Sequence, residues 1–188
     1  SVLTLLRAMS PKYSTDGAIL REFYPEKPVK VTGEGEGLVG KTAADDIIDP
    51  VDGEIFVEAG QVIKDVTAAK IAQSGLKGKN VAILDAVKDP LILNSLEEDN
   101  SETHEQALLK IYQRLRAGNP PQLEKAKALF AEKFFDANRY RLGKVGRFRM
   151  NRKLGQNVDE TKMTLEVEDL INCIKFLLRL RDNQGDLD

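Results

Sequence analysis

Among 188 residues the sequence holds one cysteine and one histidine, and it has no long apolar run. The lone Cys173 excludes an internal disulfide; set in a helical pattern, it reads as a buried thiol in a reducing compartment. A single His104, far in sequence from Cys173, cannot build a His/Cys metal site, and a Cys–His nucleophile pair lacks support. His104 falls in the first turn of a capped helix, where solvent exposure is expected. The most apolar stretch, Ile171–Leu180, is broken by Lys175 and Arg179 and is too short and too charged to span a bilayer. Internal repeats, low-complexity tracts and a signal-peptide pattern are likewise missing. The chain opens already in apolar helix, "SVLTLLRA", and stops at "RDNQGDLD" without a closing element, so a segment of something larger is expected.

What is present is ordinary in bulk and uneven in placement. Apolar residues make up 41% and charged residues 31%, as in a typical soluble domain long enough to bury a core. The formal net charge is only -2. Residues 1–40 are neutral, 41–105 carry -8, 106–155 carry +10 and 156–188 carry -4. Polarised charge steers association through its local field, so these segment sums say more about partners than the total does.

Local patterns predict a mixed α+β fold with a helix-rich second half and a small β-containing subdomain near residues 28–85. Leu3, Leu5, Leu6 and Met9 have helical spacing over Val2–Met9, and a second short helix is expected over Thr15–Phe23. Pro25 and Pro28 interrupt before a strand at "PVKVT". Residues 37–63 read as short β segments with turns at Asp49–Gly53 and Ala59–Gly60. An amphipathic helix follows over Asp65–Ser74, capped by Gly75. "NVAIL" at 80–84 returns as a strand, and Pro90 opens a helix to about Glu98. Thr103 and Gln106 form a capping box for the next helix, which Gly118 and Pro120–Pro121 separate from another carrying Leu123, Ala126, Phe130 and Phe134. The final helix, from near Thr164, places Val167, Leu170, Ile171, Ile174, Leu177 and Leu178 on one face. These elements suggest a helical body of 1–27 and 91–188, with 28–90 as a β-rich subdomain.

Three clusters invite chemistry, and none reaches a catalytic or metal assignment. Gly35–Thr42, "GEGLVGKT", formally matches the phosphate-binding loop, in which backbone N–H groups cradle phosphates and the lysine reaches the terminal one. That loop must feed a helix, yet "DDIIDP" alternates like a strand and Pro50 follows closely; Glu34 and Glu36 would also repel a phosphate. Asp45, Asp46, Asp49 and Asp52 lack calcium-loop spacing and read as turn residues. Acidic "EEDNSE" at 97–102 reads as a linker between helices.

The basic ribbon "RYRLGKVGRFRMNRK" is the feature that stands out. It holds seven cations in fifteen residues and no acid: Arg139, Arg141, Lys144, Arg147, Arg149, Arg152 and Lys153. Arginine outnumbers lysine, and its guanidinium forks two hydrogen bonds onto a phosphate. The bland alternative is a solvated surface with Leu142, Val145, Phe148 and Met150 tucked into the core. The ribbon favours a nucleic acid held through its phosphates, without sequence readout.

"IYQRLRAGNPP", "FFDANRY" and "LGKVGRFRMNRKL" resemble the lobe of the bacterial DNA-dependent RNA polymerase β subunit, and 91–155 as a whole follows that pattern. "VLTLLRAM" looks like the opening of that lobe and "EDLINCIKFLLRLRDNQGDLD" like its end; residues 37–63 fit moderately, 10–36 and 64–90 weakly. The resemblance implies a non-catalytic piece of a nucleotidyltransferase, a module of one pincer of the DNA cleft near downstream duplex and non-template strand. Its magnesium would be held by another subunit, so no cofactor is expected here. Implied partners are DNA, the β′, α and ω subunits, sigma factor and transcription regulators, with no membrane, in the cytoplasm at the nucleoid. The seven cations are then the expected phosphate-facing set. A protein-docking module and a phosphate-loop domain are the competing expectations.

Overall fold

The structure, a computed structural model, describes residues 1–99, 101–136 and 142–182. It is mixed α+β, as the periodicities predict, and divides into two compact units: Ser1–Ser14 with Asp99–Asp188, and Thr15–Glu98. The divisions fall at 14/15 and 98/99, where the sequence reading sets them at 27/28 and 90/91.

In the Thr15–Glu98 unit, helix α2 (Asp16–Phe23) follows Thr15, whose hydroxyl accepts the Ala18 N–H at 3.2 Å.

 
Strand β1 (Glu26–Lys30) pairs antiparallel with β4 (Asn80–Leu84), in a register running from Glu26 opposite Leu84 to Lys30 opposite Asn80. Pro28 sits within β1 without penalty because a two-stranded ladder leaves one edge unpaired, where a missing N–H costs nothing. A second antiparallel pair, β2 (Ile47–Ile48) and β3 (Ile55–Val57), is bulged between Ile47 and Ile48. Helix α3 (Asp65–Ala72) buries Ala68, Ile71 and Ala72 in a core that also holds Val31, Leu38, Ile63 and Ile83. Gly35 is required where it stands. Its φ is 83°, and a Cβ there would come within 2.4 Å of the Ala68 carbonyl oxygen. Helix α4 (Leu91–Glu98) closes the unit with Ile92 and Leu96 buried.

Among its described residues the other unit has helices and no strand: α1 (Val2–Met9), α5 (His104–Leu115), α6 (Leu123–Phe130), α7 (Lys144–Leu154) and α8 (Val167–Arg181). Ala8 of α1, Leu108 and Tyr112 of α5, and Ala126 and Phe130 of α6 share one core. α5 starts as its capping residues predict. The Thr103 hydroxyl accepts the Gln106 N–H, while the Gln106 side chain accepts the N–H of Glu102 instead of that of Thr103. A wide π turn, Ala131–Phe135, extends α6 and sets the Phe134 ring 4.6 Å from that of Phe130.

Two sequence expectations change in this unit, those for His104 and Cys173. Asp99 lies in the linker between helices that the sequence predicts, and its side chain is buried against Arg7 with an Nε–Oδ2 distance of 3.0 Å. Thr4 and Ser101 hydroxyls also donate to it, and Arg7 Nη1 donates to the Ser14 carbonyl. His104 is half-buried, with Nδ1 2.6 Å from the Arg7 carbonyl oxygen. Cys173 is exposed on α8, because it lies about 160° around the helix from buried Ile171.

Burial alone would raise the Asp99 carboxyl, but hydrogen bonds from Ser101 and Thr4, with the Arg7 charge, outweigh it and hold the group below the ordinary range. A carboxyl depressed on folding adds stability above its unfolded value, about 4, and that contribution fades as pH falls through the folded value. Asp99→Asn is therefore expected to be less stable than wild type at pH 7. Urea denaturation at several pH values should show the gap narrowing below about pH 4; a constant gap would contradict this role.

Candidate nucleic-acid interface

From Lys144 onward the basic ribbon folds as a helix although its apolar residues lack a helical stripe. α7 takes Gly143 as its N-terminal cap residue and ends at Gly155, whose φ of 63° suits the left-handed stop. What it buries is an arginine. Arg147 is 0% exposed and pairs with Asp169 of α8 at 2.5 Å, itself 3% exposed. Its remaining donors are spent on backbone: Nε on the Lys162 carbonyl at 2.8 Å and Nη2 on that of Thr164 at 2.6 Å.

Asp169 is occupied in turn. Gln156 Nε2 donates to Oδ1, and the Glu166 N–H donates to Oδ2 at 2.8 Å, completing a capping box at the start of α8. Asn172 donates to Gln156 Oε1, and Asn151 to the Val158 carbonyl. One polar network thus ties α7, the 156–166 segment and α8 together. It also explains why α8 begins at Val167 instead of near Thr164. The Thr164 carbonyl serves Arg147, and the chain is still extended at Glu166, with φ -103° and ψ 155°.

Turning Arg147 inward turns other residues out. Val145 is 65% exposed and Phe148 53%, so the alternative that tucks both into the core does not hold for them, while Leu142 and Met150 are half-buried. Lys144, Arg149, Arg152 and Lys153 of the same helix are exposed as well. Among the described residues no acid pairs with Lys144, Arg149 or Arg152. Lys153 lies 5.4 Å from the Phe176 ring of α8, with Arg179 on the same ring at 5.8 Å.

Of the seven cations expected to face phosphates, four are therefore exposed on α7. Arg147 is corrected to a structural role, since its guanidinium is fully engaged away from solvent. Arg139 and Arg141 lie outside the described residues. Leu177, placed on the apolar stripe of α8, is 53% exposed. Sequence reasoning missed Asp169, Gln156 and Asn151 as determinants of the site. Their only local signal is the E-V-E-D spacing of Glu166 and Asp169 at a helix start.

The other clusters have local explanations. After Gly35–Thr42 the chain enters bridges and β2 with no helix to present phosphate-binding N–H groups. The Gly40 N–H donates to the Ile63 carbonyl and the Lys41 N–H to that of Leu38, which removes the phosphate-loop expectation. Asp46, Asp49 and Asp52 accept backbone N–H groups of Ala59, Val51 and Glu54, and Asp45 pairs with Arg21.

The family described as RNA polymerase Rpb2, domain 2, matches residues 80–188. The chain belongs to this family. It is 53% identical over 184 residues to the DNA-directed RNA polymerase subunit beta of Rhodopirellula baltica, covering 95% of the chain and 15% of that protein. The corresponding subunit of Chlamydia trachomatis serovar D is 35% identical over 184 residues, covering 95% and 14%. That of Jannaschia sp. is 39% identical over 164 residues, covering 81% and 12%. The chain thus spans about one-seventh of the length of these relatives. The resemblance to the β-subunit lobe holds, and α7 and α8 lie wholly within the family match.

The two kinds of arginine in this lobe segment separate by experiment. Removing one partner of a buried ion pair strands the other, at a cost of about 3–5 kcal/mol. Arg147→Gln should lose about that much stability in urea denaturation, whereas Arg149→Gln and Arg152→Gln should stay within about 0.5 kcal/mol of wild type. Equal effects at all three positions would contradict the assignment.

Proposed function

We propose that this segment is a non-catalytic wall of the DNA cleft in a DNA-directed RNA polymerase, contributing shape and charge to RNA synthesis carried out elsewhere in the enzyme. The observation that carries the reading is the exposed side of α7, where Lys144, Arg149, Arg152 and Lys153 project from one rigid helix. Membership in the Rpb2 domain 2 family supplies the setting. In this reading the other polymerase subunits and sigma factor are its protein partners, the cell's cytoplasm its location, and DNA in the cleft its ligand.

The chemistry required is modest. Cations on a helix neutralise phosphates and release condensed counterions, which gives affinity that does not depend on sequence. Arg149 and Arg152 supply forked donors suited to phosphate oxygens, while Lys144 and Lys153 act as point charges. The buried Arg147–Asp169 pair adds nothing to binding directly; it holds the helix that displays the other four. The magnesium chemistry of the enzyme belongs to another subunit in this reading.

The 188-residue chain should bind duplex DNA weakly, with Kd of ~10⁻⁴ M or higher at physiological salt. Fluorescence anisotropy at several salt concentrations should show affinity falling as salt rises. The double variant Arg149→Gln/Arg152→Gln should weaken binding and flatten that salt dependence. Salt-independent binding, or a double variant that binds like wild type, would overturn the proposal.

A further inference from the structure

We infer that the β2–β3 hairpin of one copy of this chain docks on α7 of another copy, so that the molecule associates with itself through two unlike surfaces. The inference goes beyond the DNA-cleft reading and is tested separately from it.

Between Lys41 and Lys64 the sequence has no basic residue and six acids: Asp45, Asp46, Asp49, Asp52, Glu54 and Glu58. The middle of this stretch folds as β2 and β3. One face of the pair is buried, with Ile47 4% and Val57 5% exposed. On the other, Ile48 and Ile55 stand opposite each other across the strands and are 45% and 50% exposed. A second layer, a helix or another sheet, ordinarily covers an apolar face of this kind. Glu54 and Glu58 flank Ile55 and its strand, are exposed, and pair with no cation among the described residues.

The surface that fits carries apolar side chains set among cations, and the chain itself supplies one. On α7, Val145 and Phe148 are three positions apart, Arg149 is four beyond Val145 and Arg152 four beyond Phe148, so these side chains are neighbours on the helix. Both apolar residues are exposed, and the helix contains no acid. The other helices offer less: Leu115 of α5 and Leu177 of α8 are single exposed aliphatic side chains, and Val66 of α3 follows Asp65. Like surfaces repel. Two hairpins would set acid against acid, and two α7 helices arginine against arginine. The contact is therefore heterologous, hairpin to helix, and can repeat from copy to copy.

Sedimentation equilibrium of the 188-residue chain tests this at about 0.1 M and about 1 M salt, where charges act over roughly 10 Å and roughly 3 Å. At the lower salt the average mass should rise with concentration above the monomer's 20.9 kDa, and at the higher salt it should fall back toward that value. Glu54→Lys/Glu58→Lys and Arg149→Glu/Arg152→Glu should each remain monomeric. An equimolar mixture of the two should associate, because the new lysines meet the new glutamates. Ile48→Thr/Ile55→Thr, which keeps β-branching, should weaken association about ten-fold. Circular dichroism checks that each variant is folded. A wild-type chain that stays monomeric at the lower salt, a hairpin variant that associates like wild type, or a mixture that stays monomeric would overturn the inference. Duplex DNA titrated into the same samples separates it from the cleft reading. A monomeric wild type that binds duplex in a salt-dependent way loses the inference and keeps that reading; association without duplex binding does the reverse.

Discussion

The buried contact between Arg147 and Asp169 is the constraint on which the rest of this lobe segment depends. An arginine taken fully out of water must satisfy its charge and its donors at once, and here one carboxylate and two backbone carbonyls do so. Those acceptors come from α8 and from the stretch before it, so α7 can lie in only one rotation about its axis without stranding a charge. That rotation sends Phe148 and Val145 outward together with four cations. A more apolar seam could bind the two helices as tightly, but it would tolerate rotation, and the exposed side would be less strictly defined.

A second buried pair plays a comparable part in the same unit. Arg7 and Asp99 belong to segments far apart in sequence, and Ser14, the last residue of the first segment, is held by the same guanidinium. The chain leaves for the Thr15–Glu98 unit after Ser14 and returns at Asp99. Ser14 and Asp99, the residues at the two divisions, are therefore both held by one arginine. In the other unit, Asp46, Asp49 and Asp52 accept backbone N–H groups, a local use for three of the acids in the negatively charged stretch 41–105.

Where periodicity and capping decide the outcome, the sequence is transparent. Val2–Met9 and Asn80–Leu84 have the bounds that their spacing predicts, and Thr103 caps α5 as expected. The ribbon was opaque because its inward position is a charged residue. Periodicity finds apolar faces, and α7 has no consistent one, so nothing in its spacing marks Arg147 as the inward residue. Only the partner thirteen residues beyond Gln156, Asp169, reveals the inversion, and nothing in local spacing links it to Arg147. Cys173 misleads in the opposite sense, a residue type usually buried that falls on the outer side of an apolar helix. Charge sums fared better than individual positions. The +10 of residues 106–155 and the family resemblance both direct attention to α7, although one of its cations serves the fold.

The central claim is that Arg147 is inside and Arg149 and Arg152 are outside. Modification by an arginine-specific dicarbonyl reagent, followed residue by residue with peptide mass spectrometry, tests it most directly. Arg149 and Arg152 should be labelled rapidly in the folded protein, and Arg147 should be protected until denaturant is added. Labelling of Arg147 at the rate of Arg149 under native conditions would contradict the account.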